Sequence, residues 1–146
     1  MDKNTIRLFG SNKTDNWQTP AEIWTYLKVE FGAILFDPCP LKPGFDGLAV
    51  DWKPVTFVNP PYSQVKTWLI KAHQELKKGN CHTVIFLTFA NTETVWFQDY
   101  ILPFAEIRFL KGRVSFINEG KQAPAMRPSI LIIFRSKKMV TLAQRE

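Results

Sequence analysis

The stretch Val55-Thr56-Phe57-Val58-Asn59-Pro60-Pro61-Tyr62 sets a strand-like run directly against two prolines. Its first four residues are β-branched or aromatic, the composition of a buried strand, and the prolines forbid further ladder pairing. A polar amide, Asn59, is thereby expected at the carboxyl end of a sheet strand, where open α/β sheets place their ligands. Pro60 and Pro61 stiffen the backbone and have no amide hydrogens of their own. The ring of Tyr62 follows at once. Together these groups suit a planar amine. The Asn59 side-chain oxygen and the Pro60 carbonyl can accept its two N–H bonds, and Tyr62 can stack on the attached ring. A proline turn with an Asn cap is the plainer reading of the same residues.

On either side of this stretch, strand patterns alternate with helical ones. Upstream, Thr19 is a natural N-cap, Pro20 takes the first helical position and Glu22 completes a Thr-x-x-Glu capping box. Ile23, Trp24, Leu27 and Phe31 supply an apolar face, and Gly32 ends the helix. Ala33-Ile34-Leu35-Phe36 reads as a first strand, closing at Asp37-Pro38-Cys39-Pro40. A loop holding Gly44, Asp46 and Gly47 leads to Asp51-Trp52 and the strand before Asn59. Downstream, residues 64–78 have helical periodicity through Val65, Trp68, Leu69, Ala72 and Leu76, closed by Gly79. Strands are expected at 83–87, 106–110 and 129–134, with a helix around 93–102 between the first two. This alternation argues for a mostly parallel sheet with crossover helices. The last two strands, joined by a long non-helical loop, read as an antiparallel pair at one edge.

A length of 146 residues supports one core and one domain. The expected division is a mobile polar segment at 1–16 and a single domain over 17–146. No run of about eighteen apolar residues occurs and the N-terminus lacks a signal-peptide pattern, so a cytoplasmic, reducing setting is expected. Cys39 and Cys81 fit neither a disulfide framework nor metal-ligand spacing. His73 and His82 form no recognisable metal-ligand spacing with their neighbours. No metal site is expected. A net charge of +6 is compatible with a polyanionic partner.

With these residues in hand, the chain resembles the phage-type DNA N-6-adenine methyltransferases, small Dam-like enzymes. The resemblance runs over about 17–134 and its pieces occur in order. They are Trp17-Gln18-Thr19-Pro20, Phe36-Asp37-Pro38-Cys39, Asp46-Gly47-Leu48 with Asp51-Trp52, and Asn59-Pro60-Pro61-Tyr62. Gly112-Arg113 and the segment from Ala123-Pro124 to Pro128-Ser129 follow. The resemblance implies a Rossmann-like sheet that uses S-adenosylmethionine and methylates adenine N6 in double-stranded DNA, with a phage or prophage origin. The sheet is a shortened one, because only 21 residues separate Asp37 from Asn59.

It further implies roles, residue by residue. Asn59, Pro60, Pro61 and Tyr62 would be catalytic, flipping the target base into their pocket. Thr19 and Pro20 would open a helix whose N-terminus suits the cofactor's carboxylate, with Trp17 covering it. Asp37 would take the cofactor's ammonium within the Asp37-Pro38-Cys39 turn. Asp46 would take the ribose hydroxyls, and Asp51 the adenine amine with Trp52 flanking the ring. Residues 37–44 depart from larger methyltransferases in lacking closely spaced glycines. Between the late strands, Lys111, Arg113, Lys121 and Arg127 surround Asn118 and Gln122, a set suited to phosphates and a base edge. Specificity would be loop-borne or supplied by a second subunit, as in a homodimer. Other planar amines suit the same tetrapeptide: cytosine N4, RNA adenine or a protein glutamine. From a different class, a nucleic-acid-binding relic without turnover would keep the same sheet.

Overall fold

The computed structural model describes residues 17–32, 36–40, 44–118 and 120–136. The proposed mobile segment at 1–16 and the strand residues 33–35 lie outside them. The chain runs through α1 (Ala21–Phe31), β1 (Val55–Val58), a 3-10 turn (Tyr62–Gln64), α2 (Val65–Lys78), β2 (Thr83–Phe89) and α3 (Val95–Tyr100). It continues through β3 (Glu106–Phe109), β4 (Ser115–Asn118), β5 (Lys121–Pro124) and β6 (Ser129–Arg135).

The main sheet has the order β1-β2-β6-β3. β1 pairs with β2 in parallel, and β6 runs antiparallel to both β2 and β3. The sheet is therefore mixed, which corrects the expectation of a mostly parallel one. The cause is the path of β6. The last two strands do pair antiparallel, as their connection suggested, but β6 inserts between β2 and β3 and leaves β3 alone at the edge. Ile130, Leu131, Ile132, Ile133 and Phe134 are buried on both faces. A continuous apolar run needs such a central position, because an edge would leave it wet. Phe36 continues the sheet beyond β1, where its carbonyl accepts the Phe57 N–H at 3.0 Å in a parallel bridge to Thr56.

Alternation along the strands separates two cores. Val58, Phe86, Ile130, Ile132 and Phe134 face α2 and α3, meeting Trp68, Leu69 and Phe97. Phe57, Ile85, Leu87, Leu131 and Ile133 face the other way, toward Leu27 of α1, Phe116 of β4 and Val114. The hairpin β4–β5 occupies what reads from sequence as an irregular loop. Its signal is the buried–exposed alternation of Val114, Ser115 and Phe116 before Gly120, which sits at φ +76.

Helix boundaries follow the punctuation residues. Gly79 closes α2 in the left-handed conformation, φ +84, and Gly32 donates its N–H to Lys28 at the end of α1. α3 is shorter than 93–102 and is capped by Thr94, whose hydroxyl accepts the Phe97 N–H at 3.2 Å. α1 departs from expectation. Pro20, not Thr19, holds the cap position, and no side chain caps the helix among the described residues. The Thr19 hydroxyl is engaged elsewhere.

Candidate active site

β1 delivers Asn59 to the carboxyl edge of the sheet, half-buried. Its side-chain Nδ2 donates to the Trp17 carbonyl at 3.0 Å and to Thr19 Oγ1 at 2.9 Å. A carbonyl can only accept, so this contact fixes which end of the amide is nitrogen. With both N–H bonds so used, Oδ1 is the remaining polar atom of the side chain and is an acceptor only. Gln18, between the two partners, exchanges backbone hydrogen bonds with Ile117 of β4, at 2.9 and 3.3 Å.

Tyr62 follows the two prolines and opens the 3-10 turn. Its ring stacks on Phe89 with centroids 4.1 Å apart and meets Phe116 edge-on at 6.2 Å. Phe89 closes β2 and Phe116 lies in β4, so three separate elements build one aromatic cluster. Neither phenylalanine is marked by its local sequence, since nothing nearby in the chain links it to Tyr62.

A cavity of about 230 Å³ lies beside Asn59, lined by Trp17, Gln18, Thr19, Trp24, Asp37, Cys39 and Pro40. Asp37 follows Phe36 at the same sheet edge as Asn59. Its Oδ1 accepts the Cys39 N–H at 2.9 Å. Burial pushes the Asp37 carboxyl above its ordinary value, and the bond from Cys39 offsets only part of this. No Lys or Arg among the described residues forms an ion pair with it. Burial, with the nearby Asp37 charge, pushes the Cys39 thiol up to about 12, so it stays protonated and is no nucleophile. Cys81 is a buried core residue beside the Thr56 hydroxyl at 3.7 Å.

Five of the sequence-designated residues, Trp17, Thr19, Asp37, Cys39 and Asn59, line this cavity. The other cofactor candidates, Asp46, Asp51, Trp52, Pro38 and Pro20, do not. Asp46 is exposed and accepts the Leu48 N–H in a tight turn at 3.0 Å, and Asp51 is also exposed. Trp52 is buried, stacks near Trp68 at 6.3 Å, and donates its indole N–H to the Gly47 carbonyl at 2.8 Å. Pro38 is buried beneath Gly47 in a close approach. A Cβ on Gly47 would sit 1.8 Å from the Pro38 oxygen. Pro20 lines a second, open groove of about 410 Å³ with Glu22, Lys111, Arg113 and Gln122.

Lys111, Arg113, Lys121 and Arg127 are all exposed, on or beside the hairpin. Arg113 donates to the Met126 carbonyl and Arg127 to the Asn91 side-chain oxygen, each at 3.0 Å. Both bonds order the basic segment and leave the guanidinium groups at the surface. His73 packs among Tyr100, Phe104 and Phe134 and lies 2.8 Å from the Tyr100 carbonyl, as a core histidine. Among the described residues no cluster of three metal-ligating side chains occurs, and no helix is long and apolar enough to cross a membrane.

A family model described as DNA N-6-adenine-methyltransferase (Dam) matches residues 9–145. No curated protein and no solved structure matches the chain.

Proposed function

The chain belongs to the DNA N-6-adenine-methyltransferase (Dam) family, and from that premise we propose that it methylates N6 of an adenine turned out of double-stranded DNA, using S-adenosylmethionine. The observation that carries this reading is the Asn59 amide, whose two N–H bonds are tied back so that Oδ1 is left to accept. The sheet supports it too. β1, β2 and β3 run one way and β6 alone runs back between the last two, in keeping with a shortened Rossmann-like methyltransferase sheet.

In this reading Asn59 Oδ1 and the Pro60 carbonyl accept the two hydrogens of the target amine. Those bonds draw the hydrogens out of conjugation with the ring and free the nitrogen lone pair. As positive charge develops on that nitrogen, the same two oxygens stabilise it without rearranging. Tyr62, backed by Phe89, is the stacking platform for the base. An amide takes up no proton, so the surplus proton on the methylated nitrogen leaves to solvent.

The cavity fits the cofactor chemically. A partly buried carboxylate with no cationic partner among the described residues, Asp37, suits an ammonium group, and the indoles of Trp17 and Trp24 suit a sulfonium. When bound, S-adenosylmethionine supplies an electrophilic methyl group. The basic residues of the hairpin would track the phosphates of the duplex.

The test is transfer of labelled methyl from S-adenosylmethionine to DNA, followed by nucleoside chromatography. N6-methyladenine is the expected product. Asn59→Ala should reduce the rate about a hundredfold or more, the effect of removing one aligned dipole from a closed site. Label in cytosine, in RNA alone or in protein would redirect the substrate assignment. Absence of any turnover, with cofactor still bound, would mark a binding relic.

A further inference from the structure

Residues 17–19 form a strap laid between two elements. On one side the Trp17 carbonyl and the Thr19 hydroxyl take both N–H bonds of Asn59. On the other, Gln18 is paired with Ile117 of β4 through both of its backbone groups. Thr19 is polar yet buried, at 8% exposure. Its hydroxyl stands just ahead of α1, where a capping bond to the helix would be ordinary, and α1 nevertheless starts without a side-chain cap among the described residues.

A terminal amide rotates in a broad, roughly two-fold potential, so Asn59 by itself has no fixed sense of which end faces a substrate. An amide turned the wrong way would offer N–H groups to the N–H groups of an amine. One tether selects the orientation and a second holds it against rotation. We infer that Thr19 is a positioning residue for Asn59, and that the strap pinned to Ile117 aims the Asn59 oxygen at the target amine. The inference rests on the reading of Asn59 as amine acceptor. It assigns Thr19 a role in the chemical step, distinct from the cofactor contact that the family resemblance implies for it.

Thr19→Val keeps the shape and removes the acceptor, and Thr19→Ser keeps the acceptor and removes a methyl group. With DNA and cofactor saturating, Thr19→Val should lower kcat by about tenfold or more, in line with the cost of small misplacements in a reacting site. Its affinity for S-adenosylmethionine by calorimetry should stay within about threefold of the parent, and Thr19→Ser should restore kcat to within about threefold. A second readout does not involve turnover. The Asn59 side-chain amide pair, identified by its disappearance from the NMR spectrum of Asn59→Asp, should exchange hydrogen faster in Thr19→Val than in the parent. Thr19→Ala supplies the same comparison if the valine variant does not fold.

Unchanged exchange in these variants overturns the tether. So does a loss confined to cofactor affinity with kcat intact at saturation, which would return Thr19 to the cofactor. Full activity of Asn59→Ala would instead remove the amine-acceptor reading, and the exchange measurement keeps the two failures apart.

Discussion

Asp37 is a carboxylate taken partly out of water and given one backbone N–H in return. Burial raises its pKa, so it charges at a higher pH than an ordinary aspartate, for which about 3.9 is usual. If it receives the cofactor's ammonium, binding requires the ionised form. Affinity should then be constant above the raised pKa and fall as pH drops through it, beginning above the ordinary aspartate range. Asp37→Asn should bind S-adenosylmethionine about tenfold to a hundredfold more weakly, the worth of one charge-assisted bond, and lose that pH dependence. Calorimetry between neutral and mildly acidic pH measures both. Equal affinity in the two proteins would make Asp37 a turn residue. The local reading of an apolar run followed by Asp-Pro agrees with the place of Asp37 directly after Phe36, which is bridged to Thr56 of β1. The engagement of Thr19 was not legible locally, because its partner Asn59 is 40 residues away and nothing in the local pattern separates that bond from a helix cap.

Among the elements, α2 does more than cover the sheet. Its Glu75 is fully buried and accepts from Lys71 at 2.7 Å, from Asn80 at 2.7 Å and from the Trp52 backbone N–H at 3.0 Å. This ties the loop before β1 to the helix after it. Burial pushes the Glu75 pKa up, but the bonds from Lys71, Asn80 and Trp52 outweigh it and hold the carboxyl below its ordinary value. The sign follows. A carboxyl lowered in the folded state stabilises fully above its unfolded pKa of about 4.3 and loses that contribution as pH falls through the lower folded value. Glu75→Ala should cost about 3 kcal/mol in denaturant unfolding at neutral pH, since it leaves buried donors and the Lys71 charge uncompensated. The gap from the parent should narrow in acid, and a gap independent of pH would mean that Glu75 is not ionised in the fold. Gly47 joins the same loop to the site. An alanine there drives its Cβ into the Pro38 carbonyl, so Gly47→Ala should displace the neighbouring Asp37. Weaker cofactor binding is expected, with catalysis at saturating cofactor less affected, and unaltered affinity would uncouple this turn from the cavity.

Across the whole molecule, the sheet edge that carries Asn59, the strap and the basic hairpin lie side by side because Gln18 pairs with Ile117. Lys111, Arg113, Lys121 and Arg127 are exposed and belong to or flank that hairpin. If they follow the duplex backbone, replacing all four with alanine should weaken binding to any DNA sequence. The slope of log affinity against log salt should flatten by about 0.9 for each phosphate that the protein no longer neutralises. Cofactor affinity should be unmoved. Selective weakening on one sequence would mean that the hairpin reads bases, and an unchanged slope would place DNA on another face.

Local rules determined much of this protein from the sequence alone. A β-branched run met two prolines, so β1 had to end where it does, with Asn59 and Tyr62 beyond it. The apolar stripe through Val65, Trp68, Leu69, Ala72 and Leu76, stopped by Gly79, made α2 unambiguous. These signals act over a few residues, within reach of periodicity, proline and glycine. Tertiary structure decided what depends on distant segments meeting. The insertion of β6 between β2 and β3 is set by burying Ile130, Leu131, Ile132, Ile133 and Phe134 on both faces, and that made the sheet mixed. The pairing of Tyr62 with Phe89, of Glu75 with Trp52 and of Asn59 with residues 17–19 arose the same way. Each joins groups whose nearest sequence neighbours carry no mark of the partner, so only the closed chain could bring them together.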